Sequence, residues 1–467
     1  MPIKFGTDGW RALMDGDFTP ANVELTAQAF ADWLNGRKKK RVVVGYDFRD
    51  RSDEFARSVT EVLIGNGIEV LLAEKATPTP AVSSAILHGG YDAGVVITAS
   101  HNPPGYNGIK IKNDFGGSAE KSITDAIEAL IGANPVRKKA FSPGRPVIKD
   151  LNLDYLGRLV KYLNVEAIKL ADFRVLIDSM HGVGGRHIEN ILKGGRMRVT
   201  TLRAERDVTF GGVAPEPIAK NLTKTIELMR TGQYDAAFVT DGDADRVGAV
   251  RPGGEFVSPG TLLALIMLHM AEDLGRKGSV VTTISNTALI YKVARRLGLK
   301  IHETAIGFKY VCEFMRRENV LIGGEESGGI GFQDYLFERD GMLSCLLVMQ
   351  MMAMRRQSFE EILKAVEKEF GKLYYVRSDL EYPNELKSKL FQHLQLNHPA
   401  SIEGHSVRRI DETDGIKIIL DNDSWLLFRL SGTEPILRVY SEAASQGLAE
   451  GLVRYGRSLA FHLPVGA

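Results

Sequence analysis

Over roughly its first 370 residues the chain alternates short apolar runs with stretches of helical periodicity. That alternation predicts an α/β architecture with mixed, largely parallel sheets. A faint repeat runs through it. Arg41–Arg49 (RVVVGYDFR) opens one block, and Tyr91–His101 (YDAGVVITASH) comes later in it. Arg174–Gly185 (RVLIDSMHGVGG) opens a second, which leads to Tyr234–Arg246 (YDAAFVTDGDADR). Ser279–Gly298 opens a third, which leads to Val320–Gly331 (VLIGGEESGGIG). Each block reads as a buried strand, a polar loop, a helix, and a further strand running into a polar loop. Ligands of open α/β sheets bind beyond the carboxyl ends of the strands, so these loops are expected to wall one shared cleft.

Two breaks divide the pattern. Gly132–Asp150 is rich in Pro, Gly and basic residues, as a linker is. Near Gly371 the chain changes to short strands such as Gly415–Leu420 (GIKIIL) and Trp425–Leu430 (WLLFRL), followed by a helix. The expected division is therefore three related α/β domains, 1–150, 151–253 and 254–371, and a smaller C-terminal α+β domain, 372–467.

Charge narrows the function. The 59 Lys and Arg nearly cancel the 58 Asp and Glu, so no global field points to nucleic acid or an anionic membrane. Any anion site must be local. The apolar runs Thr261–Ala271 and Met342–Met354 are too short to span a bilayer, and their methionines read as core filler. Cys312 and Cys345 form no C-x-x-C pair, and the N-terminus has no apolar signal segment. A cytoplasmic protein with reduced thiols is expected.

The chemistry gathers in loops. In TDGDADRVG, Asp241, Asp243 and Asp245 alternate directly after the apolar run AAFVT. An extended segment would turn all three carboxylates the same way, and a hard divalent cation such as Mg²⁺ would relieve their repulsion. The loop is not an EF-hand, because Arg246 stands at the sixth position and Pro252 at the twelfth. Magnesium commonly takes phosphate oxygens too. In RLSGTEPILRVY, Ser431, Gly432 and Thr433 offer hydroxyls and backbone N–H groups to an anion, flanked by Arg429 and Arg438. In GGEESGG, Glu325 and Ser327 alternate and could hydrogen-bond vicinal sugar hydroxyls. Lys309 (GFKYV) and Arg11 (GTDGWRA) adjoin glycine-bearing turns. No Walker loop is present, His187 breaks a dinucleotide fingerprint in HGVGGRHIEN, and Ser100 lies in TASHN, outside any G-x-S-x-G elbow.

Together TASHNPPGYNGIK, DGDADR, GEESGG and RLSGTEPILRVY, in that order, closely resemble the motifs of the α-D-phosphohexomutase superfamily. The resemblance spans nearly the whole chain and implies four domains around a central cleft. It implies that Ser100 is carried as phosphoserine, with a phosphate oxygen on Mg²⁺ beside Asp241, Asp243 and Asp245. The implied reaction is reversible transfer between hexose 1-phosphate and hexose 6-phosphate through a hexose 1,6-bisphosphate, which also serves as activator. Arg246 would neutralise the phosphoryl group in flight, and Lys110 and Arg11 match positions near it, where either could assist proton transfer. His101 is the general-base candidate by adjacency, but side chains of neighbouring residues in an extended loop point apart, which leaves a structural or phosphate-binding role equally open. Arg429, Ser431, Gly432 and Thr433 would hold the idle phosphate, and Glu325 and Ser327 the sugar.

Two departures bear on the substrate. Gly329 stands where several relatives that act on mannose or glucosamine phosphates carry histidine, which favours glucose phosphate. Leu430 replaces a proline without removing any donor. Phosphomannomutase or phosphoglucosamine mutase activity, a non-catalytic sugar-phosphate binder and a metal-dependent phosphatase are the alternatives. The partners expected are small sugar phosphates, with no nucleic acid and no membrane, and the sequence sets no oligomeric state.

Overall fold

Strands β1 (Trp10–Leu13), β2 (Arg41–Tyr46), β3 (Glu69–Ala73), β4 (Ala93–Ile97), β5 (Tyr106–Lys112) and β6 (Val147–Lys149) form the first sheet of the computed structural model. It describes residues 3–6, 8–430 and 436–461. The sheet order is β1-β5-β4-β2-β3-β6, with β2, β3, β4 and β6 parallel and β5 antiparallel to both of its neighbours, β4 and β1. Helices α1 (Pro20–Gly36), α2 (Ser52–Gly65), α3 (Thr79–Gly89) and α4 (Lys121–Glu128) belong to the same block. The continuous apolar run of β2 follows from burial on both faces. Val42 and Val44 pack with Phe18, Phe30 and Phe55, while Val43 between them packs with Val82, Ile86 and Val96.

The second block contains α5 (Leu151–Tyr162), α6 (Val165–Leu170), β7 (Arg174–Asp178), α7 (His187–Leu192), β8 (Arg198–Leu202), α8 (Thr223–Arg230), β9 (Ala236–Thr240), β10 (Val247–Val250) and β11 (Phe256–Val257). Its order is β11-β10-β9-β7-β8, with β7 parallel to β8 and β9, and β10 antiparallel to β9. The third block has the same succession: α9 (Pro259–Leu268), β12 (Ser279–Thr283), α10 (Ala288–Arg296), β13 (Ile301–Thr304), α11 (Phe308–Arg317), β14 (Val320–Gly324), β15 (Ile330–Phe332), β16 (Leu336–Arg339) and α12 (Gly341–Arg355). Here β12 and β13 are parallel, and β14, β15 and β16 form an antiparallel meander. The repeat read from the sequence is thus a repeat of topology. TASHN, DGDADR and GEESGG follow β4, β9 and β14 and lead into β5, β10 and β15, each antiparallel to the strand before it.

The two apolar runs become α9 and α12, hydrophobic all round and buried, as such helices must be. No helix of the described residues is long and apolar enough to cross a membrane. After α13 (Phe359–Phe370), the tail comprises β17 (Tyr374–Glu381), α14 (Asn384–Leu396), β18 (Ser401–Ile402), β19 (His405–Asp411), β20 (Ile416–Leu420), β21 (Trp425–Leu430), β22 (Ile436–Ala443) and α15 (Gln446–Phe461). Its sheet, β17-β22-β21-β20-β19-β18, is antiparallel throughout.

Contacts divide the chain into two compact units: residues up to Ser279 with Gly307–Ile362, and Val280–Ile306 with the chain from Leu363. In the second unit, Ile284 packs with Ile419, Trp425, Leu427 and Tyr440 on one face of the tail sheet. On the other face, Leu426, Phe428 and Val439 pack with α14 and α15 through Leu390, Leu394 and Leu452.

Candidate active site

Strand β4 ends at Ile97, and the chain turns sharply before it returns as β5. Thr98 Oγ1 accepts the Ser100 N–H at 2.8 Å and donates to Asp47 Oδ2 at 2.6 Å. Ser100 sits in the left-handed region at φ 51°, a conformation that a non-glycine residue adopts at some cost. Its buried Oγ donates to Asp241 Oδ2 at 2.7 Å. Because Ser100 is left-handed, the expectation that its neighbour's side chain points away does not hold: His101 Nδ1 lies 3.5 Å from Ser100 Oγ. Burial, with Arg246, Arg11, Lys110 and Arg49 around it, holds His101 well below the usual histidine range.

The three aspartates follow β9, and here too the local geometry differs from the extended segment expected. Asp241 Oδ1 accepts the N–H groups of Asp245 and Arg246, each at 3.0 Å, and Ala244 is left-handed at φ 57°. The loop is a turn closed by its own first carboxylate. A turn converges the aspartates as effectively as alternation would, with one carboxylate oxygen from each within 4.8 Å of the others and all three residues buried. Gly242 permits the approach, since a Cβ there would lie 2.6 Å from Ser100 O.

Four of the six carboxylate oxygens have hydrogen-bond partners. Asp243 Oδ2 accepts from Thr79 Oγ1 at 2.5 Å and from Lys110 Nζ at 2.7 Å. Asp245 Oδ2 accepts from Lys110 Nζ at 2.7 Å and lies 2.8 Å from Arg339 Nη2. Asp243 Oδ1 and Asp245 Oδ1 are buried with no hydrogen-bond partner. Buried orphan carboxylate oxygens are costly, and hard oxygen donors suit Mg²⁺. The residues present therefore fit a divalent cation. Burial, reinforced by Asp243 and Asp245, pushes Asp241 well above the usual carboxylate range. Burial acts in the same direction on Asp243, but the Lys110 ammonium outweighs it and holds that carboxyl down. Burial would likewise lower Lys110, yet Asp243, Asp245 and Asp8 raise it, so the ammonium persists.

Other anticipated residues take varied places. Arg246 Nε lies 3.8 Å from Asp245 Oδ1 and 4.0 Å from Asp241 Oδ2. Arg11 Nη1 donates to Asn102 Oδ1 at 2.7 Å, in the serine turn. Glu325 Oε1 accepts the Gly307 N–H at 3.0 Å, and its Oε2 lies 3.7 Å from Arg339 Nη1. Burial raises the Glu325 carboxyl above its ordinary value. Ser327 is half-buried in the same loop, and the Lys309 ammonium lies 5.2 Å from the centre of the Tyr310 ring. In the tail, Arg429 and Arg438 stand opposite each other on β21 and β22, and Arg429 Nε donates to Asp414 Oδ2 at 3.0 Å. Ser431, Gly432 and Thr433 lie outside the described residues.

Sequence reasoning missed Asp8, Thr79 and Arg339. Asp8 Oδ2 lies 2.5 Å from Arg339 Nη2 and 3.2 Å from Lys110 Nζ. Arg339 thus bridges Asp8, Asp245 and Glu325. The stem of Arg339 crosses Gly329, where a Cβ would lie 2.2 Å from Arg339 Cδ. Asp8 shares the GTDGW turn that drew attention to Arg11, and that turn was the signal available.

Three topologically matched α/β blocks and an antiparallel tail, with a cation-ready carboxylate cluster at the turn-backs, define a class of four-part α/β proteins. The models of phosphoglucomutase/phosphomannomutase alpha/beta/alpha domains I, II and III match residues 2–137, 153–254 and 258–370, and that of the C-terminal domain matches 383–454. A phosphoglucomutase/phosphomannomutase of Thermococcus kodakarensis is 32% identical over 458 residues, covering 97% of this chain and 98% of its own. A phosphoglucosamine/phosphogalactosamine mutase of Sulfurisphaera tokodaii is 29% identical, over 96% of this chain and 97% of its own. A crystal structure from Thermus thermophilus classed with the phosphomannomutases superposes with a TM-score of 0.88 at 35% identity, covering 98% of this chain and 99% of that one. The chain belongs to the phosphoglucomutase/phosphomannomutase family, the phosphohexomutase isomerases of carbohydrate metabolism.

Proposed function

We propose that this phosphohexomutase interconverts glucose 1-phosphate and glucose 6-phosphate through phosphoserine at position 100. The observation that carries the reading is the seating of Ser100 Oγ, 2.7 Å from Asp241, in a cluster whose Asp243 Oδ1 and Asp245 Oδ1 lack partners. Asp241, Asp243, Asp245 and a phosphate oxygen on Ser100 would hold Mg²⁺, which supplies positive charge beside the phosphoryl oxygens. In the first half-reaction the P–Oγ bond of phosphoserine breaks as a P–O bond forms to the free sugar hydroxyl. The hydroxyl proton passes to His101, whose Nδ1 lies 3.5 Å from Oγ, and from it to the Ser100 oxygen that has lost its phosphate. Lys110, kept as an ammonium, supplies charge instead of accepting a proton, and Arg246 faces the same oxygens. The resulting hexose 1,6-bisphosphate reorients, and its other phosphate returns to Ser100 by the reverse chemistry. Arg11 braces the serine turn through Asn102.

Sugar hydroxyls would meet Glu325, Ser327 and Lys309, and the idle phosphate Arg429, Arg438 and the turn Ser431, Gly432 and Thr433. The division into 1–150, 151–253, 254–371 and 372–467 is retained, supported by the four matched segments. The buried free thiols of Cys312 and Cys345 suit a cytoplasmic setting.

Glucose is favoured because Gly329 stands where several relatives that act on mannose or glucosamine phosphates carry histidine, and Arg339 overlies it. A histidine there would drive Arg339 from its place among Asp8, Asp245 and Glu325. A second reading, glucosamine 1-phosphate, is favoured by the Sulfurisphaera tokodaii relative and its name. The test compares kcat/KM on glucose 1-, mannose 1- and glucosamine 1-phosphate, with Mg²⁺ and catalytic glucose 1,6-bisphosphate present. A preference of about tenfold or more for either of the latter two would overturn the glucose reading. Release of inorganic phosphate without an isomerised product would mark a phosphatase, and no turnover with Mg²⁺ a sugar-phosphate binder.

A further inference from the structure

Arg49 has no part in the chemistry above, yet its side chain is fully buried and directed at the turn that carries Ser100. Nη2 donates to the carbonyl oxygens of Ser100 at 2.7 Å and Asn102 at 2.5 Å. Nη1 donates to those of Pro103 at 2.9 Å and Tyr106 at 3.0 Å. One guanidinium thus gathers four carbonyls of a single turn. Asp47 Oδ2 lies 3.4 Å from Nε, and Thr98, which holds the Ser100 N–H, donates to the same oxygen. The Phe210 ring, centred 4.9 Å from the guanidinium carbon, and Arg206, donating to Phe48 O at 3.1 Å, close the other side. Burial draws the Arg49 pKa down to about 10, which leaves it cationic at neutral pH.

A left-handed conformation is unfavourable for a non-glycine residue, so the surroundings must hold Ser100 there. The hold is two-sided, since Thr98 takes the N–H and Arg49 the carbonyl. A buried charge is expensive unless fully paired, and four oxygens of the serine turn supply much of that pairing.

We propose that Arg49 is a positioning residue for phosphoryl transfer, gathering the carbonyls of Ser100, Asn102, Pro103 and Tyr106 so that Ser100 Oγ stays aimed at Asp241. This rests on the reading of Ser100 as the phosphoryl carrier. Transfer demands an aligned oxygen, and a misplacement of 1 Å can cost about 100-fold in rate. Sugar-phosphate binding draws on other residues and has no such dependence.

Arg49→Lys keeps a buried charge but loses the fork, because an ammonium is a point donor. In the full-length variant turnover falls about 100-fold while KM stays within about threefold. Amide exchange across residues 100–107 accelerates about tenfold or more, with β2 and β4 unchanged. Turnover within about threefold of wild type, or exchange that rises evenly through the first compact unit, overturns the proposal. Should Arg49→Lys fail to fold, Thr98→Val severs the other side of the hold at nearly constant shape. It is expected to give the same split between kcat and KM with the same local exchange, and wild-type values in both overturn the proposal. Peptide mass spectrometry of the wild-type protein separates the two ideas. If Ser100 never carries phosphate, the functional reading fails, while the exchange measurement still decides whether Arg49 holds the turn.

Discussion

Lys110 Nζ lies within 2.7 Å of oxygens from both Asp243 and Asp245 and 3.2 Å from Asp8. Those contacts use one oxygen of Asp243 and one of Asp245, and leave the orphan oxygens for a cation. Lysine and a cation bound at those oxygens would thus be neighbours sharing the same negative charge. In metal-free buffer Lys110→Met should cost about 3–5 kcal/mol, the usual result of leaving buried charges without their partner. Adding Mg²⁺ should restore much of that loss, so the metal-induced rise in thermal midpoint should be larger than in wild type. An equal rise in both proteins would show that Lys110 does not balance these carboxylates. At this scale the sequence is legible where a motif is contiguous: Ser100, Lys110 and the three aspartates could all be singled out from two short stretches. Arg339 could not, because Asp8, its partner at 2.5 Å, lies 331 residues away. Thr79 is an ordinary helix-start threonine until Asp243, 164 residues on, meets its hydroxyl.

In the three α/β blocks the candidate loops after β4, β9 and β14 turn the chain back into an antiparallel neighbour, and the third of these meanders leads into α12. Asp340 caps α12, with Oδ1 accepting the Leu343 N–H at 2.8 Å, and the Tyr155 hydroxyl donates to the same carboxyl. Burial pushes its pKa up to about 7. An unfolded aspartate titrates near about 3.9, so between these values the native state holds a proton that the unfolded chain has released. The stabilisation from this group is complete below about pH 4 and is lost as pH rises towards about 7, at up to about 1.4 kcal/mol per pH unit. Asp340→Asn keeps the cap and the tyrosine contact without titrating. Its thermal midpoint should change less between about pH 5 and about pH 7 than that of wild type. An undiminished pH difference in the variant would remove Asp340 as its source. The elements themselves were legible from apolar runs and turn residues. Their local geometry was less so, because the aspartate loop and the serine turn depend on side chains that bond their own backbone, which period-two patterning does not reveal.

At the scale of the whole chain, the blocks read along the sequence and the units defined by contact do not coincide. Residues 280–306 lie inside the third block, yet they group with the tail. Lys417 is the clearest reason. It is buried on β20, donates to Ile284 O at 2.6 Å, lies 3.7 Å from Glu303, and sits 4.6 Å from the centre of the Trp425 ring. Glu442 on β22 adds a second tie, accepting the Ala288 N–H at 2.8 Å. Sequence periodicity marks where strands and helices occur, but a single buried lysine that joins two stretches of chain leaves no period. Lys417→Met retains the apolar stem and removes the ammonium, leaving Ile284 O without its side-chain donor and Glu303, which keeps the Tyr291 hydroxyl, without a nearby cation. That should cost about 1–3 kcal/mol. If the contact units are also cooperative units, the loss falls on one of them. Amide protection should then drop together in β12, β13, β20 and β21, while β2, β4 and β9 keep theirs. Loss of protection confined to β20 and β21 would mean that Lys417 does not join residues 280–306 to the tail. Loss spread over β2, β4 and β9 as well would mean that the chain opens as a single cooperative unit.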